Sequence, residues 1–281
     1  LLKLNDNTIN HIVTNIVDLI LTNRGKIYHK NSEGGGQRDN ILKSKRMERW
    51  LAFIDRVTKD EIPFRNDMVK YFKEQEIKVL ESLGTQKAIN KDINDISNIP
   101  KKKDELKKLA ALSTPKIIKA VASEGTFILE ELGISIGFDV LNPKVIEYVE
   151  TRVGDLIKEI SDTTKEALRL TLKEGEEAGE NISKLADRIS LVYEDAQGYR
   201  AELIARTENI TAHNNGALNG YRQSGIVEKK SWLTAGDDRV RPEHVVMNGE
   251  TVGIEETFSN GLMYPSEPNC RCTIVPIISK E

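Results

Sequence analysis

Cysteine is nearly absent from this 281-residue chain: only Cys270 and Cys272 occur, two positions apart. Two cysteines cannot build a disulfide framework of the kind that staples small secreted domains. Long apolar runs are missing too; none approaches the roughly 20 residues that a membrane-spanning helix needs. Neither charge sign dominates. The formal net charge is −3 and the pI about 6.0, which excludes the global basic footprint of a general nucleic-acid binder. The chemistry motifs with the clearest mechanics are also missing. GGGQRDN has glycines but no helix-starting Lys to cradle a phosphate, and neither a GxSxG elbow nor an HExxH zinc helix occurs. No internal repeat is present.

What remains is 38% hydrophobic and 30% charged, enough apolar material for a core under a well-solvated surface. The length suits about two domains of roughly 150 residues. Ile9, Ile12, Val13, Ile16, Val17 and Ile20 follow the i, i+3, i+4, i+7 spacing of a one-faced helix that Gly25 can end. NSEGGGQRDN reads as a flexible loop. Met47, Trp50, Leu51, Ile54 and Val57 mark a second helix; Met68, Phe72, Val79, Leu80 and Leu83 mark a third, closed by Gly84. From Lys87 to Lys119 the chain is polar and locally basic, with nine Lys against four acids. A solvated linker or exposed helix is one reading. Contact with an acidic partner or with phosphates, through Lys101, Lys102, Lys103, Lys107 and Lys108, is the other.

Asn142-Pro143 is a helix start, with Asn as cap and Pro at the first helical position. Val145 to Ile160 gives that helix one apolar face, and a capped helix follows GEEAGE. Tyr199 to Arg222 reads as a long helix rich in Ala and Gly, which lets another backbone approach closely, and Gly225 caps it. The period then shifts towards strand. Val227 to Leu233 alternates around Trp232, an apolar anchor. Val245-Val246-Met247 and Thr251-Val252 flank Asn248-Gly249, a type I′ hairpin signal. Cys272 to Ile277 reads as a final strand in which Pro276 favours an edge. The expected fold class is therefore α+β. Mainly helical N-terminal and middle regions precede a small C-terminal module of one long helix and a short antiparallel sheet. The expected segments are a helical region 1–86, a Lys-rich linker 87–114, a helical region 115–195 and the module 196–281.

The two thiols carry the sharpest chemical question. In a strand, residues i and i+2 point the same way with Cβ atoms roughly 6 to 7 Å apart by the strand rise. A disulfide needs about 3.8 Å, so that pairing is disfavoured. Two thiolates on one strand can instead converge on a zinc ion at about 2.3 Å. His244 is then the natural third ligand, and Asp237, Asp238, Glu267 or His213 the candidates for a fourth; spacing selects none of them. Plain burial of two small thiols around Arg271 is the alternative. His244 with Asp237 or Asp238 also suits a metal-dependent nuclease. On the long helix, Arg206 and Glu208 are two apart and do not face each other. They either lie on a solvated face or reach separately into the module.

Taken in order, the motifs are Ala205-Arg206-Thr207-Glu208, Trp232, Asp237-x-Arg239-Val240-Arg241-x-x-His244, Asn248-Gly249 and Cys270-Arg271-Cys272. This series, over roughly residues 196–278, resembles the phage Mu F-like family of minor head, or head-morphogenesis, proteins. The resemblance implies a capsid component rather than an enzyme. Such a protein would bind portal, capsid or scaffold during head assembly, remain inside the virion, and assist packaging or delivery of phage DNA. Before that it would sit in the host cytoplasm. Some relatives carry the module fused behind a portal protein. The chain opens at Leu1-Leu2-Lys3-Leu4 inside a helical pattern, so a piece of something longer is expected.

Overall fold

The computed structural model describes residues 38–84 and 93–278, with side chains from Lys45 onward. The expected helix at 9–20, its stop at Gly25 and residues 31–37 of the expected loop lie outside the described residues. Arg38, Asp39 and Asn40, the end of that loop, are already helical.

Helix α1 runs from Arg38 to Gly84. The second and third expected helices are thus one. Between them, TKDEIPFRND holds a single helix breaker, Pro63. Proline inside a helix forfeits one backbone hydrogen bond, but Phe53 and Val57 before it and Phe64 and Met68 after it are all buried. Packing on both sides outweighs one local break. A short helix α2 (Ile93–Ser97) and a 3-10 turn (Ile99–Lys101) lead into α3 (Lys103–Glu131). The Lys-rich stretch is therefore helix over its second half, not linker, and Glu105, Leu109 and Ala110 are buried in it. Its lysines are the solvated stripe of an amphipathic helix. Helices α4 (Pro143–Glu177) and α5 (Ile182–Asp195) follow. The Asn181 side chain caps α5 by accepting from Lys184 N–H at 3.0 Å. A π-turn (Ala196–Arg200) precedes α6 (Ala201–Ser224). Then come β1 (Lys229–Leu233), the short helix α7 (Pro242–Met247), β2 (Thr251–Gly253) and β3 (Thr273–Ile277).

The chain divides into two compact units. Among the described residues, the first unit comprises 61–84, 93–116 and 149–205. It is all helix. Phe64, Met68, Tyr71, Phe72, Val153, Leu156 and Leu168 fill its core. A buried polar chain crosses it: Tyr193 Oη donates to Gln75 Oε1 at 3.0 Å, and Gln75 Nε2 donates to Tyr71 Oη at 2.8 Å and to Glu105 Oε2 at 3.1 Å. Lys78 pairs with Glu105 on its other oxygen, so the buried side chains of this network satisfy one another.

The second unit comprises 38–60, 117–148 and 206–278. Its sheet is antiparallel, in the order β2-β1-β3, with Trp232 opposite Ile274 and Lys230 opposite both Val252 and Pro276. The expected α+β architecture is borne out. Pro276 lies on edge strand β3, where its missing N–H costs no ladder bond. Small residues on α6 allow the close approach expected of them. A Cβ on Gly216 would stand 2.4 Å from the Val121 carbonyl oxygen, and one on Gly220 would stand 2.9 Å from Ile128.

Asn248-Gly249 does not close a hairpin between two strands. Residues 242–247 form α7, started by Pro242 at its first turn. Asn248 at φ −60, ψ 110 and Gly249 at φ +94 make a type II turn, in which Glu250 N–H donates to the Met247 carbonyl at 2.8 Å. Gly suits the positive φ of either turn type, so the dipeptide marks the turn without fixing its type.

Candidate metal centre

The second unit brings His244, Cys270 and Cys272 together. His244 is on α7, positioned by Pro242. Both cysteines precede β3, in coil rather than in the expected strand, because the chain is bent there. Asn269 has φ 59, and its N–H and side chain are held by Thr207 Oγ1 at 3.0 Å and by Arg206 Nη1 at 2.9 Å. The bend turns both thiols to one side. Cys270 Sγ and Cys272 Sγ each stand 3.6 Å from His244 Nδ1, and all three ligand atoms lie within 4.8 Å of one another. All three side chains are buried, and both thiols are free. The same bend gives Arg206 and Thr207 of the ARTE motif their role, which is to shape the Asn269 corner. Glu208 is buried.

The far nitrogen of His244, Nε2, faces the Glu267 carboxylate, which also lies 3.8 Å from Arg241. Arg241 in turn donates to the Pro268 carbonyl at 2.5 Å. The imidazole packs edge-on against Trp232, with ring centroids 5.1 Å apart. The Trp232 indole N–H is fully buried and makes no bond of normal geometry; the Cys272 sulfur is the acceptor beside it. The Cys272 thiol donates to Cys270, which pushes the Cys270 thiol down to about 6 against the opposing effect of burial. The same contact with Cys270, together with burial, pushes the Cys272 thiol up.

Arg271, between the thiols, points away to a bidentate pair with Asp237 at 2.8 Å on both arms. That pairing holds the Asp237 carboxyl at about 2, well below the usual carboxylate range. Arg239 adds a 3.3 Å contact to the same carboxylate. Thus Asp237, considered beside His244 as part of a nuclease site, is clamped by arginines, and Asp238 is exposed. His213, considered as a fourth ligand, lies in a separate buried cluster with Asp60 and Glu124. A cavity of about 120 Å³ adjoins the thiols and His244, lined also by Ala235, Arg239, Val240, Arg241, Asn269 and Arg271.

Two donors from α1 hold the site's backbone, and no local pattern marks them. Trp50 Nε1 donates to the Arg271 carbonyl at 2.8 Å, and Arg46 donates to the Trp232 carbonyl at 2.9 Å. Asn214 on α6 donates to the carbonyls of Pro265 and Cys272, both at 3.1 Å. Asn248 Oδ1 accepts from Thr234 N–H at 3.2 Å, so the conserving of this loop's shape falls to side-chain amides. Of the five lysines considered for phosphate contact, Lys101 pairs with Asp162 and Lys108 with Glu74, while Lys102, Lys103 and Lys107 are exposed.

Among the described residues, no helix is long and apolar enough to cross a membrane. No curated protein and no solved structure matches the chain. Residues 165–275 match the family model described as Phage Mu protein F like protein, so the Mu F-like resemblance is borne out over that segment and points to a phage head-related protein.

Proposed function

We propose that the chain is a bacteriophage minor head protein that works by binding rather than by catalysis. It docks the portal or the capsid interior during head assembly, stays in the virion, and assists packaging or delivery of DNA. The observation that carries this reading is the family match over residues 165–275. The site's polar groups support a binding role. Asp237, Arg271, Asn214 and Asn248 are engaged in holding backbone and one another, which suits a module that presents a fixed surface. Purified heads probed for this chain, together with a pull-down against the cognate portal, test the reading. The chain should co-purify with heads and bind portal. Its absence from heads together with no portal binding would sink the idea.

The exposed Lys102, Lys103 and Lys107 favour a second reading, contact with DNA phosphates without chemistry. It predicts binding that weakens steeply as salt rises, and binding indifferent to salt would rule it out.

A further inference from the structure

We propose that Cys270, Cys272 and His244 bind one zinc ion through three protein ligands, with the fourth position opening into the adjoining cavity to take an exchangeable water or small anion. The inference stands apart from the head-protein reading and does not depend on it.

Geometry is the first support. A zinc ion with Zn–N of about 2.0 Å and Zn–S of about 2.3 Å at the tetrahedral angle sets each N···S separation near roughly 3.5 Å. Both thiols stand 3.6 Å from His244 Nδ1. Two thiols that merely filled space would have no reason to be equidistant from one imidazole nitrogen. The carboxylate of Glu267 supplies the second support. Placed on Nε2, it accepts that N–H and leaves Nδ1 as the lone-pair donor, the arrangement that metal-bound histidines adopt. The third is the buried Trp232 indole N–H, which meets no oxygen or nitrogen acceptor and has the Cys272 sulfur beside it. A thiol sulfur is a weak acceptor, and a metal-bound thiolate there would be a stronger one. As the two Zn–S bonds form, any proton still held by either thiol would leave to solvent.

The open position follows from what is missing around the ion. Among the described residues, the cluster of potential ligands stops at three. Glu267 is committed to the far side of the imidazole and His213 to Asp60 and Glu124. Structural zinc sites are closed by four protein ligands, whereas sites with three keep a place for water or another ligand. The cavity of about 120 Å³ has room for a few waters at about 30 Å³ each. Two thiolates cancel the charge of the ion, and Arg239, Arg241 and Arg271 on the cavity wall outnumber their carboxylate partners Asp237 and Glu267, which suits the place to an anionic donor.

The test uses the full chain, purified without chelator. Elemental analysis should give close to one zinc per chain. Cobalt substitution should give intense thiolate-to-metal charge-transfer bands and tetrahedral d–d bands, and added azide should shift the latter. Glu267→Gln should still bind cobalt, with about 10- to 100-fold weaker affinity, which guards against a His244→Ala variant that simply unfolds. Zinc below about 0.2 per chain after reconstitution would overturn the site, because such sites hold metal through purification. A mass loss of two hydrogens, marking a disulfide, would do the same. Full zinc occupancy with d–d bands indifferent to azide would overturn the open position.

Discussion

His213 and His244 are both fully enclosed in the same unit, and both touch a carboxylate, yet their surroundings are opposites. His213 has a carboxylate on each nitrogen: Glu124 at 3.0 Å from Nδ1 and Asp60 at 3.2 Å from Nε2. Arg56 grips Glu124 through two bonds, at 2.7 and 2.6 Å, and Lys119 holds Asp60 at 2.7 Å. Burial opposes charge on His213, but the hydrogen bonds and negative charge of Asp60 and Glu124 outweigh it, so its pKa is raised. His244 has a carboxylate on one side only. Its other nitrogen faces the two cysteine sulfurs in place of a second carboxylate. The difference teaches that one carboxylate orients an imidazole, while two strengthen its hold on a second proton. The first arrangement leaves a lone pair for a metal, and the second leaves none.

The largest expected effect tests the ionic half of this comparison. His213→Ala removes two hydrogen bonds to carboxylates, at about 1.5–3 kcal/mol each, and should cost about 3–5 kcal/mol even though Arg56 still holds Glu124 and Lys119 still holds Asp60, read by urea unfolding. Next comes metal removal. With free zinc about a thousandfold above its dissociation constant, binding adds roughly 4 kcal/mol, so chelation should lower the unfolding temperature of the wild type. His213→Ala should keep that response and His244→Ala should lose it; a response that depended on His213 would break the comparison.

A smaller effect separates the two histidines by pH. The raised His213 pKa means that its contribution is complete below the unfolded value of about 6.5 and is lost as pH climbs through the folded value. Burial works against the Asp60 and Glu124 carboxylates, but their cationic partners lower both. Their contribution is complete above about pH 4 and is lost as pH falls. Thermal unfolding of wild type against His213→Gln should therefore show a stability difference that shrinks from pH 6 to pH 9. A difference constant over that range would mean that His213 is not charged. The smallest effect is at the Asn269 corner. Arg206→Ala removes an exposed bond and should cost about 1 kcal/mol or less, measured as the shift in urea midpoint.

Much of the site was legible because its signals are local. A Cys-x-Cys pair and a histidine just ahead of an Asn-Gly turn announce themselves, and the three side chains do converge. The type of each element around them was less legible. Val245-Val246-Met247 reads as strand by its β-branched residues, but Pro242 and the turn at Asn248-Gly249 decide in favour of helix. Cys270 and Cys272 sit on a bend that depends on Asn269 meeting Thr207 and Arg206, a contact across more than sixty positions that no periodicity reveals. Glu267 illustrates the limit of spacing arguments. It was one of four candidates for the same coordination position, and its placement on the far nitrogen of His244 is visible only in three dimensions. The continuity of α1 through Pro63 was hidden for a similar reason, since tertiary burial on both sides overrides a local breaker.

Trp50 also sets a timetable. Its indole N–H caps the Arg271 carbonyl from 221 positions away. At the usual pace of synthesis, about 5–20 residues per second, roughly ten to forty-five seconds separate the two as the chain emerges. For that interval the Trp50 donor of α1 must wait unclaimed by the protein. The pocket around His244 can assemble only once the last strand arrives, so its completion reports that the whole second unit has been made.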